Sequence, residues 1–416
     1  MSITNTFKET DLGLLPNDWD VFKIKDLLSN KFLVSHLDGN HGGLYPKNEE
    51  FISNGVPYIS ANNLIGGVVD FKSCKFLSLE RAKMFKKGIA KDGDVLFAHN
   101  ATVGPVALLY TDFDFVILST TATYFRCNLE KLDNLYLKEF FTSDYFIGQY
   151  TKVMGQSTRN QVPITTQRNL FAIIPPIQEQ KKIAEILSSW DIAINKNINI
   201  IENLKLRNIG LAQQVLSGKM RLNGFEKSQW HLKSVDEVAV FKNGKAHENC
   251  IDEEGDYFVV NSKFISTQGK VAKASNENLC PLFKNDITLV MSDIPNGKAF
   301  AKCFYIPEDD KYTLNQRICA LTARKGTDSK FLFYQMNRNN YYLAFNNGVS
   351  QTNLKKEEVL ECPLLMPDIE EQIQIVKLID TATEELNQYQ QKLEALQLQK
   401  RGLMQQLLTG KTRVKI

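Results

Sequence analysis

The stretch PPIQEQKKI, Pro175 to Ile183, returns as PDIEEQIQI, Pro367 to Ile375, and this return decides the fold. At the same offset of 192 (367 − 175), LAQQVLSGKMRL from Leu211 comes back as LMQQLLTGKTRV from Leu403. DVLFA from Asp94 meets DITLV from Asp286 at that offset too. A fixed period held over so much chain marks a duplicated structural unit. The starts also correspond, WDVFKIKDL from Trp19 with WHLKSVDEV from Trp230, now 211 apart (230 − 19). The first copy therefore carries about nineteen extra residues before Asp94, expected in the Gly- and Asn-rich stretch from His36 to Glu50.

Working outward, the chain divides into a globular domain at 1–174, a central helical segment at 175–220, a second globular domain at 221–366 and a distal helical segment at 367–416. Each globular copy contains short β-branched or aromatic runs parted by Gly, Pro, Asn and Asp, which predict strands. These are DVLFA, PVALLY, FVILS and ATYF in the first, and DITLV, AFAKCFYI and ICALTA in the second. LYLKEFFTSDYFIGQYTKVM and KFLFYQMNRNNYYLAFNN follow as predicted helices. Each copy is thus read as an α+β domain.

Between Ile177 and Ser217 there is no proline, and Gly218 closes the segment. Ile183, Leu187, Trp190, Ile194, Ile201, Leu204 and Leu211 fall on one stripe at steps of four and three, with Asn197 and Asn208 interrupting it. Ile375, Ile379, Leu386, Leu393, Leu396 and Leu403 repeat the stripe 192 residues on, with Lys400 as its interruption. This is a coiled-coil seam. A helix of this length is roughly 60 Å long, and alone it would leave its stripe in water. Pairing the two helices buries both stripes, each interior Leu or Ile contributing roughly 1.5–3 kcal/mol. If the second domain is compact, the end of the first helix and the start of the second are neighbours, so the expected pairing is antiparallel. The fold class expected is therefore α+β: two pseudo-symmetric mixed domains separated by two long antiparallel coiled-coil helices. Polar residues in the seam either fix its register or line its wet edge.

Composition narrows the function. A charge of +3, from 50 basic and 47 acidic residues, does not by itself announce a nucleic-acid binder. No apolar run is long enough to span a membrane, and MSITNTFKETDLG lacks the basic and apolar regions of a secretory signal, so a cytoplasmic location is expected. Seven scattered cysteines without a CxxC pair fit buried free thiols better than a zinc site. There is no GxGxxG, Walker loop, HExxH or Asn/Asp-Pro-Pro-aromatic motif, and no metal-spaced histidine group, so neither catalytic nor metal residues are assigned.

Local charge and turn chemistry point to DNA. Lys72, Lys75, Arg81, Lys83, Lys86, Lys87 and Lys91 gather against a single acid, Glu80, with Phe71, Phe76 and Phe85 among them. Phosphate contacts need such local excess, although a lysine run also fits a solvated face. The second copy has a thinner counterpart at Lys263, Lys270, Lys273 and Lys284. GQSTRNQV from Gly155 and GVSQTNL from Gly348 both sit just before a helical segment. Their Arg159, Asn160, Gln161, Gln351 and Asn353 are residue types that read base edges, while Ser157 and Ser350 suit turns and caps better. Asn100 and Thr102 in the loop His99–Thr102, and Lys298 in the loop Ser292–Lys298, join them as weaker DNA-binding candidates.

Two repeats, each closed by P-x-I-x-E-Q and a long helix ending in QQ-x-L-[ST]-G-K-x-R, resemble the specificity subunits of type I restriction-modification systems over nearly the whole chain. LPNDWDVFKIKDL from Leu15 is similar to the segment that opens their target-recognition domains. The resemblance implies a non-catalytic, DNA-binding subunit in which each domain reads one half of a bipartite double-stranded target and the helices set the unread spacer. It implies two modification subunits as partners, bringing S-adenosylmethionine for adenine methylation. Restriction subunits driven by ATP and Mg would join them, with no cofactor in this chain and no membrane partner. A DNA-independent coiled-coil scaffold joining protein partners suits the repeat too. A cryptic nuclease or self-contained methyltransferase would need a cofactor loop or a carboxylate constellation that does not stand out.

Overall fold

The computed structural model describes residues 6–155, 160–294, 297–346 and 351–416. The chain forms two units, one taking in residues up to Ile200 together with Tyr389–Ile416, the other Ile201–Gln388. Two long helices run Ile177–Leu216 and Ile369–Leu407, so the division falls inside both. Each unit holds one globular domain, the start of one long helix and the end of the other.

Helix direction can be read within each unit. In the first, Asn197 Nδ2 donates to Tyr389 O (2.9 Å), Asp191 meets Lys400 Nζ (2.5 Å) and Glu179 accepts from Arg413 Nε (2.9 Å). One number falls as its partner's rises, so the segments are antiparallel. In the second, Arg207 meets Glu385 (2.7 Å), and Asn208 Nδ2 donates to Ala382 O (2.7 Å). Ile183, Leu187, Ile201, Leu204, Ile375 and Ile379 are buried, and Trp190, Ile194, Leu211, Leu386, Leu393, Leu396 and Leu403 are half-buried. No seam residue is exposed. Both asparagines reach a carbonyl on the facing helix and Lys400 reaches two carboxylates, so the polar interruptions are paired contacts and not a wet edge.

The helix ends also enter the domain cores. Ile183, Ala184, Leu187, Met404, Leu407 and Leu408 join Trp19, Phe125, Phe140 and Phe141 in the first unit. Val215, Ile375 and Ile379 join Val235, Leu289, Phe331 and Tyr342 in the second.

Both domains share one frame. Leu33–Asp38, Ala122–Cys127, Val95–Asn100 and Thr102–Leu108 lie side by side in that order in an antiparallel sheet, and Ala239–Asn243, Ile318–Ala323, Ile287–Val290 and Cys303–Tyr305 repeat the order. A second sheet contains a parallel pair, Val56–Ile59 with Val116–Leu118 and Tyr257–Val260 with Tyr312–Leu314. The start and end of each domain close on one another, Asp20–Lys23 with Phe171–Ile174 and His231–Ser234 with Pro363–Met366.

Two expectations are corrected. The extra residues of the first copy are spread over three places and not confined to His36–Glu50. The offset falls from 211 at the tryptophans to 205 at Gly39 and Gly244, 201 at Val56 and Tyr257, and 192 at Asp94 and Asp286. The largest step falls where the first domain adds the hairpin Leu64–Val69. Second, the predicted helix over 135–154 is two, Asn134–Phe141 and Asp144–Met154, because Ser143 caps a new start by accepting from Phe146 N. Its counterpart likewise divides, into Ser329–Met336 and Asn340–Leu343, with Asn339 as the cap. All seven cysteines are free.

Candidate nucleic-acid interface

In the first domain, strands Val95–Asn100 and Thr102–Leu108 meet at a one-residue turn, Ala101, whose φ of 64° lies in the left-handed region. Asn100 Oδ1 accepts from Ala101 N (2.9 Å), and Asn160 Nδ2 donates to Ala101 O (2.9 Å). Asn100 forms an isolated antiparallel bridge with Gln161, and Val162 N donates to His99 O (2.8 Å). Asn100, Thr102, Asn160 and Gln161, taken from two distant segments, thus converge. Gln161 spends no side-chain hydrogen bond on the described residues, which leaves its amide free to pair with a base edge.

The second domain builds the same junction. Ser292–Asp293 pairs with Thr352–Asn353, and Gln351 Nε2 donates to Ser292 Oγ (2.8 Å). Ser292 and Asn353 each stand 192 beyond Asn100 and Gln161, so the two pairings occupy one register position of a shared frame. Asp293 ties the loop down by accepting from Ala299 N (2.8 Å) and Phe300 N (3.0 Å). Lys298 is exposed on that loop. Arg159, Ser157 and Ser350 lie outside the described residues.

The basic run is placed elsewhere. Lys72, Lys75, Lys83, Lys86, Lys87 and Lys91 are exposed along 71–91, beside the sheet with the parallel pair. No hydrogen bond or ion pair among the described residues joins them to the Ala101 turn. Arg81 turns inward: Nε donates to Glu50, Nη2 donates to Leu44 O (2.8 Å), and its guanidinium lies 4.8 Å from the Phe85 ring centre. Phe85 is buried and not free to stack on a base. Lys263 lines a cleft with Lys273, Asn261, Asn315, Gln316 and Arg317. Sequence reading missed Gln316 and Arg317; the signal was the polar run Asn315-Gln316-Arg317 directly before strand Ile318–Ala323.

The helix starts show what the duplicated motifs do. Gln180 Nε2 donates to Pro175 O (2.8 Å) while its Oε1 accepts from Asp133 N (2.9 Å). Gln372 repeats this with Pro367 O (2.8 Å) and Asp328 N (2.8 Å). Glu179 takes Arg413, and Glu371 takes Arg221 (Nε, 3.0 Å), so the E-Q of each repeat binds the arginine that closes the other. Hydrogen bonds donated to the Glu179 and Asp18 carboxylates hold the Arg413 guanidinium well above its ordinary value.

A family model for the type I restriction modification DNA specificity domain matches residues 16–204 and again 227–397. The chain belongs to this family. Each match runs from the start of a globular domain into the long helix that follows, which is the duplicated unit read above. A putative type I restriction enzyme MjaX specificity subunit from Methanocaldococcus jannaschii is 24% identical, covering 98% of this chain and 97% of that protein. The MjaVIII specificity subunit of the same organism is 25% identical over 52% of this chain and 50% of its own length. Among solved structures, the S subunit of a type I system from M. genitalium matches with a TM-score of 0.56 at 16% identity, covering 100% of this chain and 99% of that one. A chain from a structure described as showing complex assembly and conformational transition of the type I R-M system gives 0.61 at 16%, over 96% of this chain and 99% of that one.

As a specificity subunit the protein recognises a DNA target within a restriction-modification complex, and catalysis is not its part there. DNA and the modification and restriction subunits are its partners. A DNA-independent scaffold and a self-contained enzyme are thereby set aside. No helix among the described residues is long and apolar enough to cross a membrane.

Proposed function

We propose that each globular domain reads one half of a bipartite duplex target, with Asn100, Thr102, Asn160 and Gln161 in one half and Lys298, Gln351 and Asn353 in the other. The exposed lysines of 72–91 and Lys263 contact phosphates, which fix position without carrying sequence. The paired helices set the unread spacer and dock two modification subunits. S-adenosylmethionine enters with those subunits, ATP and Mg with the restriction subunits, and the assembly works in the cytoplasm.

One observation carries this reading: the same register position is occupied by Asn100 and Gln161 in one domain and by Ser292 and Asn353 in the other. A duplicated frame that keeps its backbone pairing while changing the side chains is what two readers of different sequences require. Methylation mapping of cells with and without the gene tests it. A two-part adenine-methylated motif should vanish with the gene, and exchanging residues 1–174 for those of a relative should change one half of the motif alone. A change in both halves overturns independent reading, and an unchanged methylome overturns the role itself.

A further inference from the structure

Beneath the Ala101 turn lies a buried polar network that the second domain does without. His36 Nε2 donates to Gln167 Oε1 (3.1 Å), Thr123 Oγ1 donates to the same oxygen (3.0 Å), and Gln167 Nε2 donates to Val162 O (2.8 Å). Beside it stands His99, 6% exposed, whose ring nitrogens make no hydrogen bond of ordinary length among the described residues, although the Val162 backbone lies close enough to favour its protonated form. His36 Nδ1 and Arg168 Nε are also buried without partners among the described residues. Burial pushes His36 down to about 3 and His99 below its ordinary value, against the pull of Asp38 and of the Val162 backbone on His99. Both rings are therefore neutral near pH 7, and each carries one donor and one acceptor.

The second repeat supplies the comparison. His99 N donates to Thr121 O (2.9 Å) and its carbonyl accepts from Val162 N (2.8 Å); Met291 N donates to Arg317 O (3.1 Å) and its carbonyl accepts from Leu354 N (2.8 Å). Met291 therefore holds the position of His99. By strand register Phe241 holds that of His36, since they pair with Leu321 and Phe125 respectively. Cys319 matches Thr123, opposite Leu289 and Phe97. Val359 matches Gln167 on the equivalent short helix, both wholly buried. Met, Phe, Cys and Val thus fill the frame that His, His, Thr and Gln fill in the first domain.

The architecture accepts apolar residues here, and apolar residues would also remove the penalty of buried polar atoms left without partners. Such atoms, next to Asn100 in a recognition turn, call for partners that arrive with the ligand.

We propose that His99, backed by the His36–Gln167–Thr123 network, is a specificity determinant of the first half-site, hydrogen-bonding a base edge once duplex seats against Asn100–Thr102 and Asn160–Gln161. This rests on the reading of that turn as a DNA contact. The test uses the specificity subunit assembled with its modification subunits, and a duplex carrying the motif found by methylation mapping. His99→Met, the residue the second domain uses, should leave Tm unchanged or raised. It should weaken binding to the target duplex at least tenfold, leave binding to unrelated duplex unchanged, and relax methylation at the first half-site alone. His99→Gln, which keeps a donor and an acceptor, should recover part of the loss and guards against a variant that fails to fold. Target preference equal to the parent in both variants, equal weakening on target and unrelated duplex, or a fall in Tm with binding intact would each overturn the proposal. If the parent complex itself shows no preference between the duplexes, the DNA-reading role of the turn falls instead.

Discussion

The two places where a domain meets its long helices use equivalent positions in opposite ways. In the first unit Lys138 Nζ contacts Glu139 (2.6 Å) and Asp191 (2.7 Å), while Lys400 Nζ contacts the same two acids (2.8 and 2.5 Å). The side chains are 9%, 0%, 25% and 12% exposed in the order Lys138, Glu139, Asp191, Lys400, a closed set of two cations and two anions. In the second unit Lys330, the counterpart of Lys138, pairs with Asp380 (2.6 Å), which also accepts from Tyr334 Oη (2.5 Å). Here the ion pair is 37% and 35% exposed, on an open cleft of about 820 Å³. Phe331, Thr383 and Asn208 stand at the positions of Glu139, Asp191 and Lys400.

The cause is the hairpin Leu64–Val69, which the second domain lacks. Gly67 passes so close to Lys138 that a Cβ there would lie 3.1 Å from Cε, and Gly67 O accepts from Leu108 N (3.0 Å). Both Gly66 (φ 60°) and Gly67 (φ 83°) take left-handed backbone to make the turn. Covering the site removes water, and ions out of water persist only when matched in number and fully contacted. Uncovered, the second site manages with one solvated pair.

The largest effect that tests this contrast is Lys400→Met, which strands the buried Glu139 and the half-buried Asp191 on a single lysine. We expect a loss of about 3–5 kcal/mol in urea unfolding, the cost of breaking a buried pair. Lys330→Met should cost about 0–1 kcal/mol, as exposed pairs do. Equal losses would break the comparison.

Next come Gln180→Ala and Gln372→Ala, each removing three hydrogen bonds, the third to Lys131 O or Gly326 O, and leaving a buried proline carbonyl and aspartate N–H unmatched. Each should cost about 2–3 kcal/mol, and the two should agree, because this part of the junction is the same in both units. Calorimetry on the two variants decides it, and a marked inequality would show that the motif carries different loads.

The smallest effect concerns acid. Burial raises the Asp191 carboxyl, but the two lysines beside it bring it down to about 2, while burial leaves Glu139 raised. A depressed carboxyl stabilises the fold above its unfolded value near 4 and loses that contribution as pH falls toward 2. The raised Glu139 takes up its proton at higher pH and opposes part of the trend. Asp191→Asn should therefore flatten the decline in stability between about pH 4 and 2, followed by urea midpoints across that range. An unchanged slope would mean that Asp191 is not held ionised there.

Much of this was legible in the chain. The 192-residue period gave two domains and two matched helices, because a hydrophobic stripe at steps of four and three has one economical use, burial against its twin. The polar runs near Asn100, Asn160, Ser292 and Gln351 were visible as candidate readers. Their convergence was not, since strand pairing between Asn100 and Gln161 joins residues sixty-one apart (161 − 100) by backbone bonds that no side-chain pattern encodes. Arg81 looked like its basic neighbours because composition does not show that Glu50 and Leu44 face it. The signal for the split helices was present in Ser143 and Asn339, but capping residues are recognised reliably only once the helix start is known.

The sequence by itself determined the duplication, the helical seam and the family, because repeat period and apolar spacing are one-dimensional properties. Only the tertiary structure decided that Glu179 and Glu371 each hold the other repeat's arginine, and that a hairpin with a two-glycine turn converts one charged junction into a covered four-ion site. Those outcomes depend on which distant atoms share a volume from which water has been removed, and the strength of every ion and hydrogen bond there follows from that exclusion.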